Sequence, residues 1–316
     1  MLHIKEYNNT TIIENDIEEV IIYELNSPLD NLPPTINKIT IKKNINIYRR
    51  QNKIPYNCEL IIENTIIDNI NVFNNMKEED YLDITELHLD NCKLTSIPES
   101  ISSLANLQTL YLYNNKITSI PASIGSLVNL WTLNLGDNKI TNIPESIGSL
   151  VDLRILCLYN NQIISIPESI SLLVNLQNLY LSYNQITSIP ESISSLVNLQ
   201  ILYLDNNKIT SIPKSIELLI NLQELWLFNN QITIIPKSIR LLVNLQILDL
   251  SDNKIINIPK SISSLINLKK LYLSNNKITS IPESVWLLNN LQQLCLHNNQ
   301  ITSIPKSIKY KPYLML

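Results

Sequence analysis

Three histidines, His3, His88 and His297, and four cysteines, Cys58, Cys92, Cys157 and Cys295, are the side chains best suited to nucleophilic or metal chemistry. A Ser/His/Asp or Cys/His site needs its nucleophile and base within hydrogen-bond reach. His88 and His297 stand nine repeats apart in the periodic pattern set out below, so no such site can be built from them. Cys295 and His297 share one strand face, but they supply two ligands where a zinc site takes three or four. The sequence has no HExxH, no phosphate-binding loop and no dinucleotide fingerprint. A column of serines (Ser192, Ser215, Ser238 and equivalents) marks a small structural position rather than a row of nucleophiles. The expectation is a protein without catalytic residues, metal or cofactor.

The elements that position these side chains follow from self-similarity. From Ile84 onward the pattern L-x-x-L-x-L-x-x-N-x-I recurs every 23 residues without insertion or deletion, giving ten copies that begin at Ile84, Leu107, Leu130, Leu153, Leu176, Leu199, Leu222, Leu245, Leu268 and Leu291. A second block of the form S-I-P-E-S-I-x-x-L-V-N separates them. In Leu176-Gln-Asn-Leu179-Tyr-Leu181 the alternating leucines predict a short strand with one buried face. The return segment carries Ile189, Ile193 and Leu196 at helical spacing, with Pro190 where a helix or 3₁₀ turn would begin. No unit can bury its apolar side alone, so the copies must stack. Ten parallel strands about 4.8 Å apart make a concave sheet about 43 Å long. An asparagine column, Asn115, Asn138, Asn161, Asn184, Asn207, Asn230, Asn253, Asn276 and Asn299, falls where the chain turns inward and backbone groups lose water. Its amides can satisfy those groups in adjoining repeats; Cys92 holds the place in the first repeat.

Residues 84–309 resemble typical 23-residue leucine-rich repeats, and copies such as IPESISSLVNLQILYLDNNKI resemble the intracellular Ras-group repeat proteins. The resemblance implies an α/β solenoid, curved, with a parallel β-sheet on the concave face and short helical or 3₁₀ turns on the convex face. It also implies a protein partner, with small GTPases or other signalling proteins as candidates by analogy.

The organisation is then residues 1–83 as irregular N-terminal repeats or a cap, 84–309 as ten regular repeats, and 310–316 as a short tail. Ile36-x-x-Ile39-x-Ile41-x-x-Asn44 repeats the strand signature, and LNSPLDNLPPTINKITI resembles FNIP-type repeats. Degenerate repeats continuing the solenoid are favoured over a small separate α/β domain, with an acidic insertion around Met76–Tyr81. The tail either folds over the last apolar layer or leaves that layer for self-association.

Compartment follows from the scattered cysteines, the missing disulfide caps, an N-terminus without an apolar signal core and the absence of a membrane-length apolar run. These point to an intracellular, cytoplasmic protein; sequons at Asn8 and Asn9 would matter only after secretion. A net charge of −4 does not suit nucleic acid, and the basic cluster Lys42, Lys43, Arg49, Arg50 and Lys53 reads as a solvated turn. The Ile, Leu and Asn bias reflects an AT-rich genome as much as any function.

Binding remains. Two outward positions per strand place Tyr180, Tyr203, Trp226 and Phe228 in one aromatic patch, with Tyr159 and Tyr183 at its edges and Asp205 and Asp249 flanking it. Tyr111 and Tyr272 extend the columns. Exposed aromatics on a rigid sheet suit an interface. The residue after each repeat proline runs acidic (Glu99, Glu145, Glu168, Glu191) and then basic (Lys214, Lys237, Lys260, Lys306), which reads as a solvated stripe. The leading expectation is a scaffold or adaptor that binds a folded partner on its concave face. A viral or pathogen effector that sequesters host proteins or recruits ubiquitin machinery is the alternative. An enzyme and a self-assembling solenoid rank below both.

Overall fold

A computed structural model describes residues 1–7, 11–14, 17–25, 29, 32–36, 38–41, 59–62, 66–67, 84–302 and 314–315. Twelve strands, from Ile66–Ile67 to Leu314–Met315, hydrogen-bond in sequence order into one parallel sheet. Each three-residue strand of the regular array pairs with the copy 23 residues on: Leu179 lies opposite Leu202 and Leu202 opposite Leu225, with Tyr180, Tyr203 and Trp226 in the adjoining column. This register keeps every buried leucine over another. Leu179, Leu202 and Leu225 are 0% exposed, and the core is one continuous apolar stack from Ile84 to Leu296.

The return side is built from five-residue 3₁₀ segments such as Glu191–Ser195. Pro190 stands one residue earlier than expected, as the extended residue before the segment (φ −69°, ψ 151°), and Ile193 N–H donates to its carbonyl at 3.2 Å. Leu196 N–H then donates to Ile193 O at 3.1 Å and Leu199 N–H to Leu196 O at 2.9 Å. Such i→i+3 bonding suits short runs and turns Ile193 and Leu196 into the core.

The asparagine column closes each inward turn. Asn184 Nδ2 donates to Leu158 O at 2.9 Å, Leu181 O at 3.1 Å and Ser182 O at 3.2 Å, while its Oδ1 accepts from Ile163 N–H at 2.9 Å. Every partner belongs to its own or the preceding repeat, and none to the following one. That corrects the expectation of bonding in both directions. In the first repeat Cys92 Sγ donates to Asp90 O at 3.4 Å.

Two further ladders were not read from the sequence. Asn198, Asn221 and Asn244 reach back to Val174, Val197 and Ile220 carbonyls at 2.8–2.9 Å, tying the ends of neighbouring return segments. Asp152 holds this place once and cannot donate. The residue before each column asparagine adopts a left-handed backbone, with φ from 51° to 59° at Asn91, Asn114, Asp137, Asn160, Tyr183, Asn206, Asn229, Asp252, Asn275 and Asn298. Asn and Asp tolerate this region, while a bulky residue there is strained. Tyr183, at φ 54°, is the exception. Tyr183→Asn is expected to raise unfolding stability by about 1 kcal/mol, checked by urea titration; a neutral or lower value would show that the ring recovers the strain through packing.

At the N-terminus, strands Leu2–Tyr7, Glu19–Leu25, Lys38–Ile41 and Glu59–Ile62 form a second, four-stranded parallel sheet. Ile39 pairs with Leu60 and with Val20, and Val20, Ile22, Ile36 and Ile39 are buried around it. Among the described residues its hydrogen-bond ladder is distinct from that of the twelve-stranded sheet. Residues Asn8, Asn9, Lys42, Lys43, Asn44, Arg49, Arg50, Lys53, Cys58, Met76–Tyr81 and Lys306 lie outside the described set. At the other end Leu314 and Met315 pair with Leu294 and Cys295, so these two residues occupy the sheet edge there.

Candidate protein-binding face

Each three-residue strand turns its middle residue inward and its outer two toward the concavity. Strand spacing near 4.8 Å brings side chains from successive repeats into contact. Tyr180 and Tyr203 meet edge to face with ring centroids 5.1 Å apart, Tyr203 and Trp226 at 5.4 Å, and Trp226 and Phe228 at 6.3 Å. These four rings form one run. Glu224 ties it together, its Oε2 accepting from Tyr203 Oη at 2.7 Å and from Trp226 Nε1 at 3.0 Å. Burial first, and then the Glu224 carboxylate, raise the Tyr203 phenol well above its ordinary range. Tyr203 is therefore a neutral donor across the physiological range.

The other expected site residues separate from this run. Tyr159 packs toward Tyr113 at 6.4 Å, two repeats away, because Gly136 lies between them. A Cβ on Gly136 would stand 2.5 Å from the Tyr159 ring. Tyr111 meets His88 in a tilted contact, with ring centroids 4.7 Å apart. Tyr272 Oη donates to Gln293 Oε1 at 2.8 Å. Tyr183, 57% exposed, belongs to the left-handed turn and not to the sheet.

Asp205 and Asp249 were expected to flank the patch, and both are buried, at 5% and 9% exposure. Ser182 Oγ and Asn206 Nδ2 donate to Asp205 at 2.5 and 2.9 Å, and Ser251 N–H donates to Asp249 at 2.9 Å. Burial holds the Asp249 carboxyl above the usual carboxylate range, and the Asp205 charge adds to it. The aromatic rings are half-buried rather than projecting, since each leans on its neighbour.

The Oγ atoms of Ser146, Ser169, Ser192 and Ser238 are enclosed without a hydrogen-bond partner, so no base is in place to activate them. Burial pushes the Cys157 thiol up to about 12, which keeps it protonated and unreactive. Cys295 is buried, while His297 is exposed with its Nδ1 3.0 Å from Ser274 Oγ. Among the described residues no three His, Cys, Asp or Glu side chains gather as metal ligands. The post-proline stripe has a structural part that its sequence did not reveal: Glu99 accepts from Ser123 Oγ at 2.7 Å and Glu191 from Ser215 N–H at 3.2 Å, joining adjacent return segments.

Comparison with known proteins agrees with this architecture. A leucine-rich repeat region family matches residues 141–233, and a leucine rich repeat family matches residues 83–140 and 243–301. The chain belongs to the leucine-rich repeat proteins, and its fold is the leucine-rich repeat solenoid. No curated protein matches the chain. Among solved structures, a leucine-rich repeat protein of Leptospira interrogans superposes with a TM-score of 0.69 at 29% identity, covering 91% of this chain and 74% of that one. An internalin of Listeria monocytogenes gives 0.66 at 26% identity, covering 78% and 68%. A plant peptide hormone receptor solved in complex with RGF2 gives 0.52 at 25% identity, covering 91% of this chain and 54% of the receptor. Proteins of this family are generally scaffolds for protein interaction and typically not enzymes. Among the described residues no helix is long and apolar enough to cross a membrane.

Proposed function

We propose that this chain is an intracellular scaffold or adaptor that binds a folded protein partner on its concave face. The observation that carries this reading is the run Tyr180, Tyr203, Trp226 and Phe228, four aromatic rings in mutual contact on one sheet face. Large rigid side chains on a pre-formed surface lose little entropy on association and dominate interface energetics. The sheet beneath them is fixed by strand pairing and by a solid leucine core, so the surface is ready before the partner arrives. Solenoid neighbours solved with a bound peptide ligand support the use of this architecture for recognition. The intracellular setting is supported by Cys92, Cys157 and Cys295, none of which forms a disulfide among the described residues. The resemblance to Ras-group repeat proteins makes a small GTPase or related signalling protein the partner class to test first.

Affinity purification from the native cell, with wild type and Trp226→Ala compared side by side, tests the reading. Partner recovery is expected to fall with a loss of about 2 kcal/mol or more in binding, the range of an interface hot spot. Equal recovery with Trp226→Ala and Tyr203→Ala, both folded by circular dichroism, would remove the concave patch as the binding site.

A further inference from the structure

The positions that face the concavity are short of positive charge. They carry Glu86, Asp90, Asp205, Glu224 and Asp249 against one lysine, Lys270, with His88 and His297 near the two ends. The acids are not spread evenly. Glu224 precedes Trp226 by two residues on one strand, Asp249 lies opposite Trp226 in the next, and Asp205 follows Tyr203 by two in the one before. Among the described residues the acid–base contact present is Glu86 with the His88 imidazole at 3.4 Å, far along the array. Asp205, Glu224 and Asp249 thus have hydrogen-bond donors but no counter-charge.

This combination is costly for the fold alone. Carboxylates buried without a cation lose hydration that neutral donors only partly replace. Aromatic faces beside them carry a negative quadrupole and add to the same field. What such a surface lacks is a positive group. We infer that the patch around Trp226 receives a cationic segment of the protein partner, an arginine or lysine side chain lying over the Tyr203 and Trp226 rings and answered by Glu224, Asp205 and Asp249. This rests on the reading of the concave face as the binding surface and adds the chemistry of the partner. Arginine fits better than lysine, because its planar guanidinium stacks on a ring while meeting a carboxylate with two parallel donors. Glu224 Oε1 accepts no hydrogen bond among the described residues and is available for one of them. The chain makes the same kind of contact elsewhere, with the Arg154 guanidinium 4.9 Å from the centroid of Trp131. Polyanions such as nucleic acid are repelled by this field.

Two synthetic peptides of equal length and hydropathy, one rich in arginine and one rich in glutamate, serve as probes in calorimetric titration of the full chain. The arginine peptide is expected to bind, with affinity falling as salt rises, and the glutamate peptide is not. Trp226→Ala and Glu224→Gln are each expected to weaken the arginine peptide about tenfold, as loss of a partly desolvated cation–π or charge contact does. Glu145→Gln on the convex side leaves binding unchanged. Glu224→Gln keeps an acceptor for Tyr203 and Trp226, so it reports on charge without unfolding the patch. Absence of arginine-peptide binding, or affinity in Trp226→Ala and Glu224→Gln equal to that of wild type, overturns the inference. Partner capture lost in Trp226→Ala but untouched by Glu224→Gln and Asp249→Asn would overturn it while leaving the concave-face reading intact.

Discussion

Leu202→Ala is expected to destabilise the array by about 2–5 kcal/mol, the cost of emptying a buried leucine site that cannot collapse. Leu202 is 0% exposed and sits in register between Leu179 and Leu225, so the void would border two inter-repeat interfaces at once. In a solenoid those interfaces hold neighbouring units together, and each unit contacts only the units beside it. The loss therefore falls on the coupling between the two halves as well as on total stability. Trp131 and Trp286 lie on opposite sides of the lesion, and backgrounds that keep one of them as the single tryptophan report on the halves separately by fluorescence during urea unfolding. Wild type is expected to show coincident transitions, and Leu202→Ala a lower midpoint with the two probes drawn apart. Leu202→Met, which keeps the volume, should cost less than about 1.5 kcal/mol. An unchanged midpoint in Leu202→Ala would contradict the claim that inter-repeat packing holds the molecule together.

The second large effect is Asn184→Ala, expected to cost about 1–3 kcal/mol. Counting four lost hydrogen bonds would overstate it. Leu158 O also accepts from Asn161 and Leu181 O from Asn207, while Ser182 O also accepts from Asn160 N–H. The carbonyls therefore keep a partner. Ile163 N–H, buried and bonded to Asn184 Oδ1 at 2.9 Å, is the group left with none. Asn184→Asp separates the two roles, since it keeps that acceptor but turns a buried charge toward three carbonyl oxygens. It should destabilise more than alanine does. Aspartate tolerated better than alanine, by the same urea titration, would show that Ile163 N–H outweighs the donors.

The sequence carried the strand and core positions clearly because each was sampled ten times, so chance substitutions such as Cys92 could not obscure the pattern. The asparagine column was legible for the same reason, together with the chemistry of an amide. Its direction of bonding was not, because periodicity is symmetric and a donor's orientation is not. In the Asn-Asn doublets only the second residue was given a role. The first is defined by a backbone angle near 54°, and Tyr183 in that column disguised it. The Asn198 and Asn221 rungs lay inside an exposed block, where polar residues pass for solvated ones. At the concave face, alternation told which way Tyr203 and Trp226 point but not how deep they lie. Close strand spacing folds the rings onto each other and draws Asp205 and Asp249 under cover. Gly136 could not be paired with Tyr159 until both were placed in space.

A lattice that repeats by 23 residues along its sheet is nearly indistinguishable from itself after a shift of one unit. A ligand reading only the shared scaffold would find several equivalent berths and slide among them. On the proposed reading of the concave face, the indole of Trp226, which occurs once in its column, would break that degeneracy and supply an address along the track.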